Sequence, residues 1–407
     1  MTIPKTAIDI INKLEAASYE AYFVGGCVRD MLMGIEPKDF DITTNATPEQ
    51  IKGAFRRTVD TGIKHGTVTV LAGDESYEVT TYRLDGEYLN FRHPEQVIYT
   101  NELKEDLKRR DFTVNAIAYH PQRGYIDFFG GKDDIEAKII RGVGDAAERF
   151  TEDALRMLRA VRFACQLDFD IEKGTFSALV EKAELISHVS MERIRDEIIK
   201  AFTSEYVEKA EYFMECEILD YALPFMRDYL RAHLEGFLKC LGELPKDAKD
   251  TTNVLSILFK DMSGEDITKN LRLLKMDNAT MRDVLFISQN MYEEIKLDEY
   301  NVKKMISQIG MDNYFALLEC KAACGEDVES LKSIGEQVTK RAEPIFLKDL
   351  SINGNVIMEK FGVQGVKVGE ILGALHDEVL REPQRNSEAK LLEIVGRIVE
   401  NSHTRHP

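Results

Sequence analysis

Ala7, Ile8, Ile10, Ile11, Leu14 and Ala17 recur at helical spacing, which predicts an amphipathic helix over residues 7–20. The period then shortens. Tyr22-Phe23-Val24 is a brief apolar run that stops at Gly25-Gly26, as a strand does on entering a glycine turn. Residues 27–33 read as a short helix, broken by Gly34 and Pro37. Asp39-Phe40-Asp41-Ile42-Thr43 alternates strictly, so in a strand both aspartates share one face while Phe40 and Ile42 point into a core. Thr47-Pro48-Glu49-Gln50 marks a helix start with proline at its first position. The β-branched and aromatic runs 67–71 and 77–82 flank Gly73-Asp74-Glu75-Ser76 and predict a hairpin. Residues 83–100, with Gly86, Asn90 and Pro94, read as a long polar loop, and loops of that length within a domain are often functional. Leu103–Arg110 is helical, and a strand is expected near 124–128.

From Glu152 onward the pattern changes. Leu155, Leu158, Val161 and Phe163 open a series of amphipathic helices running almost to the C-terminus, with a polar tail over Asn401–Pro407. The expected fold is therefore an α/β sheet head over 1–145 followed by an all-α region. Gly242-Glu243-Leu244-Pro245-Lys246 and Gly264-Glu265-Asp266 are candidate internal boundaries.

At 407 residues the chain is too long for one core, and two to four domains are expected. No apolar run reaches the roughly 18–20 residues of a membrane helix, and Met1–Lys5 leads into a polar, amphipathic stretch unlike a signal peptide. The expected location is the cytoplasm, where the six scattered cysteines stay reduced; Cys320 and Cys324 share a helix face and read as buried thiols. The net charge of −18 argues against a nucleic-acid partner, since phosphate binding usually shows as a basic surface. Local clusters such as Lys104-Lys108-Arg109-Arg110 and Arg156-Arg159-Arg162 can still supply a basic patch.

Candidate chemistry starts at Gly25-Gly26, followed by Asp39-x-Asp41. Two carboxylates on one strand face can reach the same pair of divalent ions, and two-metal phosphoryl transfer wants them bridged. Glycines let a triphosphate approach the backbone. A third carboxylate is needed to orient an attacking hydroxyl, and Glu78, on the hairpin strand face shared with Thr80 and Tyr82, is the candidate. A lone Asp-x-Asp is also common on solvated strands.

Three blocks make the pattern specific: Val24-Gly25-Gly26-Cys27-Val28-Arg29-Asp30 with Asp39-Phe40-Asp41-Ile42; Arg109-Arg110-Asp111-Phe112-Thr113-Val114-Asn115-Ala116; and Glu152-Asp153-Ala154-Leu155-Arg156-Met157-Leu158-Arg159-Ala160-Val161-Arg162-Phe163. In that order they resemble the signature of the tRNA nucleotidyltransferase and bacterial poly(A) polymerase family. Ser190-Met191-Glu192-Arg193-Ile194 with Glu197 extends the match, which is close over 20–200 and general beyond. The resemblance implies a polymerase-beta-like mixed-sheet nucleotidyltransferase head (1–145), a base-reading helical neck (146–205), an RNA-binding helical body (206–330) and a tRNA-binding tail (331–407). It implies Mg²⁺ on Asp39 and Asp41, and nucleotide contacts from Gly26, Arg29, Arg110, Asp153, Arg156, Arg159 and Arg162. The implied partners are the tRNA 3′ end, CTP and ATP, with no membrane and no DNA.

Residue chemistry agrees with several of these roles. Arg29 and Arg110 can fork onto phosphate or ribose oxygens. Asp153 and Arg156, three apart, would be neighbours on a helix. An aspartate accepts from an exocyclic amine and an arginine donates to a ring nitrogen, a pattern that cytosine and adenine satisfy and uracil and guanine do not. On a straight helix Arg162 lies roughly opposite Asp153, so all four residues cannot touch one base. The segment Arg83–Tyr88, continuing to Arg92-His93-Pro94, resembles a lever that the family needs for terminal A addition, which argues against CC-only activity. His65 reads as a turn residue and His376 as an exposed helix position. The expected reaction is addition of CCA to tRNA with release of pyrophosphate. The alternatives are A-only addition, poly(A) synthesis, or a non-catalytic RNA-binding module.

Overall fold

The structure, a computed structural model, describes residues 3–85, 88–89, 93–94 and 97–403. The chain divides into two compact units, Met1–Leu238 and Lys239–Pro407. The main sheet of the first is built from seven strands: β1 (Ala21–Val24), β2 (Ile42–Thr44), β3 (Thr58–Gly62), β4 (Thr67–Ala72), β5 (Glu75–Thr81), β6 (Ile117–His120) and β7 (Gly124–Asp127). They form one mixed sheet in the order β7-β6-β1-β2-β5-β4-β3. β1 and β2 run antiparallel, whereas β2 and β5 run parallel with Ile42 opposite Val79 and Thr43 opposite Thr80. The β4–β5 hairpin turns on Gly73-Asp74, where Gly73 takes φ +67°.

Helices α1 (Lys5–Ala16), α2 (Gly26–Leu32) and α3 (Pro48–Ala54) precede β3, and Thr47 and Gln50 close a capping box at the start of α3. Ile10, Ile11 and Leu14 of α1 pack with Phe23, Phe40, Ile42, Val68, Val70 and Val79 on one sheet face. On the opposite face Tyr22, Val24 and Ala118 pack with Tyr82 and with Leu103 and Leu107 of α4 (Leu103–Lys108). β1 is therefore buried on both sides and reads as an unbroken apolar run. Asp41 and Glu78 are exposed where their neighbours Ile42 and Val79 are buried.

After α5 (Gly131–Glu136) come α6 (Ala146–Glu152), α7 (Leu155–Leu167), α8 (Lys173–Lys182) and α9 (Met191–Phe202). Among the described residues the second unit is helical with no strand. The sheet head followed by helices is the architecture the sequence predicts. No helix among the described residues is long and apolar enough to cross a membrane.

Four local expectations are corrected. The 83–100 segment is not a loop throughout: Arg83–Asp85 pairs antiparallel with Val97–Tyr99, and Tyr88–Leu89 with His93–Pro94. The remainder of the proposed lever, including Gly86, Glu87 and Arg92, lies outside the described residues. The regular strand β2 begins at Ile42 rather than Asp39, although the Val24 N–H donates to the Asp41 carbonyl at 3.0 Å and extends the ladder to that residue. β3 and β6 are additional strands. His376 is partly buried, with Nε2 hydrogen-bonded to the Ile345 carbonyl at 2.7 Å.

Candidate active site

β1 ends where Gly25 adopts φ +81°, a conformation that favours glycine and lets the chain turn directly into α2. A Cβ placed on Gly25 would lie 3.3 Å from Arg110 Nη1 and 3.9 Å from Asp41 Oδ2. The glycine turn, the Asp-x-Asp segment and the end of α4 thus converge at one point. The parallel β2–β5 register, continued back one residue, sets Asp41 beside Glu78. Phe40, between the two aspartates, is buried edge-on to Phe23 at 5.6 Å, while Asp39 and Asp41 are exposed.

The electrostatics report the same grouping. Desolvation raises the Asp41 carboxyl above the ordinary aspartate value of 3.8; Arg110 opposes this, while Glu78 and Asp39 add to it. Glu78 and Asp39 thus lie near enough to Asp41 to act on its charge, and carboxylate oxygens are the donor type that hard divalent cations take. Among the described residues no three His, Cys, Asp or Glu side chains close into a metal cage. An open carboxylate face suits magnesium, which completes its shell with water and substrate phosphate.

Arg110 is held from behind by a residue that the sequence reading missed. Asp106 has no solvent exposure, and its carboxylate accepts from Arg109 Nε (2.9 Å) and Nη2 (2.7 Å), Arg110 Nη2 (3.4 Å), Thr43 Oγ1 (3.1 Å) and the Arg83 N–H (3.3 Å). Burial alone would raise its pKa, but Arg109 and Arg110 outweigh burial and hold it below the ordinary value. Arg110 Nε is buried without a protein partner, which leaves a donor for an anion.

Arg29 is also buried, donating to Asn115 Oδ1 at 2.7 Å and to Asp30 at 2.7 and 3.0 Å. Arg159 donates to Asp111 through Nε (2.8 Å) and Nη2 (2.6 Å). Although burial opposes it, Arg159 and the Phe112 N–H bring the Asp111 carboxyl down to about 2. Arg162 lies 3.0 Å from Glu197, an ion pair without hydrogen-bond alignment, since both its Nε and Glu197 Oε2 lack a hydrogen-bond partner. Burial, then the nearby Arg159, lower the Arg162 guanidinium to about 10, so it stays charged at neutral pH. The guanidinium carbons of Arg162, Arg159 and Arg29 stand 4.2, 5.2 and 5.4 Å from the centre of the Phe163 ring. Three guanidinium groups thus gather on one aromatic ring, each balanced by a carboxylate: Arg29 by Asp30, Arg159 by Asp111 and Arg162 by Glu197.

Asp153 and Arg156 do not share a helix. Asp153 ends α6 with φ −138° and ψ 102°, and α7 starts at Leu155. The straight-helix geometry expected across residues 153–162 is therefore replaced by a break. Asp153 Oδ1 accepts from the Leu155 N–H (3.1 Å) and Oδ2 from Arg193 Nη2 (3.0 Å). Arg156 Nη1 donates to Glu152 (2.6 Å) and the Arg149 carbonyl (3.1 Å), and Nη2 to the Arg109 carbonyl (2.9 Å). Asp106, Asp111, Asn115, Phe163 and Arg193 hold the predicted residues without having been assigned roles from sequence. For Asp106 a signal existed: its i,i+3 and i,i+4 spacing to Arg109 and Arg110.

Residues 21–141 match the "Poly A polymerase head domain" family, residues 168–230 the "Probable RNA and SrmB- binding site of polymerase A", and residues 247–395 tRNA nucleotidyltransferase domain 2. The CCA-adding enzyme of Ligilactobacillus salivarius is 36% identical over 401 residues, covering 97% of each chain. The chain belongs to the CCA-adding enzyme family. The Lactococcus lactis subsp. cremoris CCA-adding enzyme is 35% identical over 398 residues, with 96% of each chain covered. The crystal structure of the Bacillus stearothermophilus CCA-adding enzyme in complex with CTP superposes with a TM-score of 0.86 at 30% identity, over 99% of this chain and 100% of the other. The CCA-adding family accounts for the mixed-sheet head, the helical remainder and the nucleotidyltransferase activity. Nucleotidyl transfer in this family uses a divalent metal.

Proposed function

We propose that the protein rebuilds the 3′-terminal CCA of tRNA from CTP and ATP in the cytoplasm, with Asp39 and Asp41 as the ligands of two Mg²⁺ ions. The observation that carries this reading is the meeting of Gly25, Asp41 and Arg110 within 4 Å of one point, beside Glu78. Bound Mg²⁺ would supply charge stabilisation to the phosphoryl oxygens. Glu78 orients the 3′-hydroxyl, whose oxygen bonds to the α-phosphorus while the bond to the β-phosphate oxygen breaks and pyrophosphate leaves. Arg110 and the Gly25-Gly26 turn hold the triphosphate. Arg29, Arg159 and Arg162, each ion-paired and gathered on the Phe163 ring, would offer their remaining N–H donors to the nucleotide.

Base choice falls to Asp153 and Arg156. A carboxylate oxygen has two lone-pair sites, so the bonds to Leu155 and Arg193 leave acceptor capacity on Asp153 for the exocyclic amine of cytosine or adenine. Arg193 fixes that carboxylate, and the Glu152 and carbonyl contacts fix Arg156. The helical second unit would contact tRNA through shape and phosphates, as duplex RNA is generally read.

The test is product length and base identity on tRNA lacking CCA and on tRNA ending in CC, with CTP, ATP or both. Addition of C, C and A to the first and a single A to the second is expected. Extension only of the CC-ended tRNA means A-only addition, and long A tails without use of CTP mean poly(A) synthesis. Asp39→Ala and Asp41→Ala should each abolish incorporation; wild-type incorporation by either would place the chemistry elsewhere.

A further inference from the structure

We propose that Cys240 and Cys324 form a reversible peroxide-driven disulfide, a modification site in the second unit that the nucleotidyl-transfer reaction does not use. The two residues are 84 apart in sequence, yet their sulfurs lie 2.9 Å from each other, with the Cys324 thiol donating to Cys240. Both are half-buried. The other four cysteines behave differently. Cys27, Cys165, Cys216 and Cys320 are buried. Cys27, Cys216 and Cys320 give their S–H to the carbonyls of Val24, Phe213 and Asn253. Burial raises all four, Cys27 to about 11 and Cys216 to about 12, so their reactive thiolates are scarce.

Cys240 is drawn the other way, to about 7, first by the Cys324 hydrogen bond; partial burial and Asp261 oppose this, while Lys260 and Lys239 assist. Lys260 is fixed beside it by Tyr292 Oη (2.7 Å) and Asp261 (3.2 Å). A thiolate with a neighbouring thiol as hydrogen-bond donor is the arrangement of an attacking and a resolving cysteine. A disulfide needs its sulfurs about 2.05 Å apart, so less than about 1 Å must close. Both residues stand where helices end. Cys240 lies in the last turn of the helix Arg227–Glu243, and Cys324 caps the helix Met311–Ala323 with φ −89° and ψ 8°.

The chemistry balances with hydrogen peroxide as oxidant. The Cys240 thiolate attacks one peroxide oxygen, the O–O bond breaks, and the departing hydroxide is protonated to water. The resulting Cys240 sulfenic acid is attacked at sulfur by Cys324, whose proton leaves with the displaced hydroxide as a second water. Two sulfurs are oxidised by one electron each and the two peroxide oxygens are reduced to water. A dithiol reductant reverses the bond.

The experiment treats the reduced full-length protein with hydrogen peroxide, alkylates it, and maps tryptic peptides without reduction. Titratable thiols should fall from six to four, a peptide joining Cys240 to Cys324 should appear, and dithiothreitol should restore all six. Cys240→Ser and Cys324→Ser should each abolish the joined peptide, and Cys320→Ser should keep it. The wild-type map alone decides if a variant folds poorly. Six alkylated thiols after peroxide, a bond to Cys320 instead, or Cys240 driven to sulfinic acid without linkage would overturn the proposal.

Discussion

Asp106→Asn nearly preserves shape while removing one charge from a side chain with no solvent exposure. The two bonds from Arg109, at 2.7 and 2.9 Å, are charge-assisted and contribute about 1.5–3 kcal/mol each; the 3.4 Å contact to Arg110 adds less. Two effects offset the loss. Arg109 and Arg110 keep 14% and 20% of their side-chain surface in water and regain hydration, and the buried carboxylate no longer has to be desolvated. A net loss of about 3 kcal/mol remains, at the lower edge for breaking a buried ion pair. In a unit of this size that lowers Tm by about 6–12 °C. Activity suffers separately, because Arg110 loses the contact that holds it toward Asp41. Displacement of a positioning group by about 1 Å costs on the order of 100-fold, so kcat/KM for CTP and ATP should fall by about that much, assayed below the variant's Tm. Thr43→Val, which removes one hydroxyl bond and keeps both arginines tethered, should cost only about 1 kcal/mol. If Asp106→Asn melts within about 1 °C of wild type and incorporates nucleotides normally, Asp106 does not organise this site.

The remaining predictions concern protons and the glycine turn. Because the folded Asp41 carboxyl lies above 3.8, the metal-free protein binds this proton more tightly folded than unfolded, and its stability falls as pH rises through that interval. Asp41→Asn in EDTA at neutral pH should therefore be no less stable than wild type by urea unfolding. Activity needs the ionised form and falls on the acid side, and raising Mg²⁺ should move that limb to lower pH because metal and proton compete; a limb indifferent to Mg²⁺ belongs to another group. Asp111 runs oppositely: its contribution is present above about 3.8 and lost as pH falls toward about 2, so Arg159→Met should remove about 2 kcal/mol at pH 7 in urea unfolding, and much less at pH 2. Gly25→Ala forces a side chain onto φ +81° with Arg110 Nη1 at 3.3 Å, costing about 1–3 kcal/mol and a larger share of kcat/KM; an active, equally stable variant would remove the glycine's role.

The alternation at Asp39–Ile42 was readable because Asp39 and Asp41 are exposed while Phe40 and Ile42 are buried, and the hairpin because Gly73-Asp74 supplies its turn; beyond Ile42 the alternation ends, since Thr43 and Thr44 are both buried. β6 hid itself: Ile117, Ala118 and His120 are all buried, so no polar alternation marks the strand. β3 hid for the opposite reason, as a largely exposed edge whose Thr-Val-Asp-Thr-Gly carries no apolar face. The parallel pairing that brings Glu78 beside Asp41 joins segments more than thirty residues apart and leaves no local signal; Glu78 was singled out by the need for a third carboxylate and by its place on the hairpin strand. Helical spacing misled at Asp153, where the carboxylate bonds to Leu155 N–H and to Arg193, forty residues away, across a break that periodicity does not record. The Cys240–Cys324 contact, between residues 84 apart, left no trace in spacing.

Arg156 grips the backbone carbonyl of Arg109, whose next neighbour is Arg110. On the proposed roles, the group that would inspect the incoming base is thereby fastened, through a single peptide unit, to the group that would steady the phosphates. A base of the wrong pattern that pushed Arg156 aside would then also disturb the alignment at phosphorus. Rejection of uracil and guanine should then show as slower bond formation as well as weaker occupancy, so that a mismatched nucleotide, even when present in excess, is joined poorly.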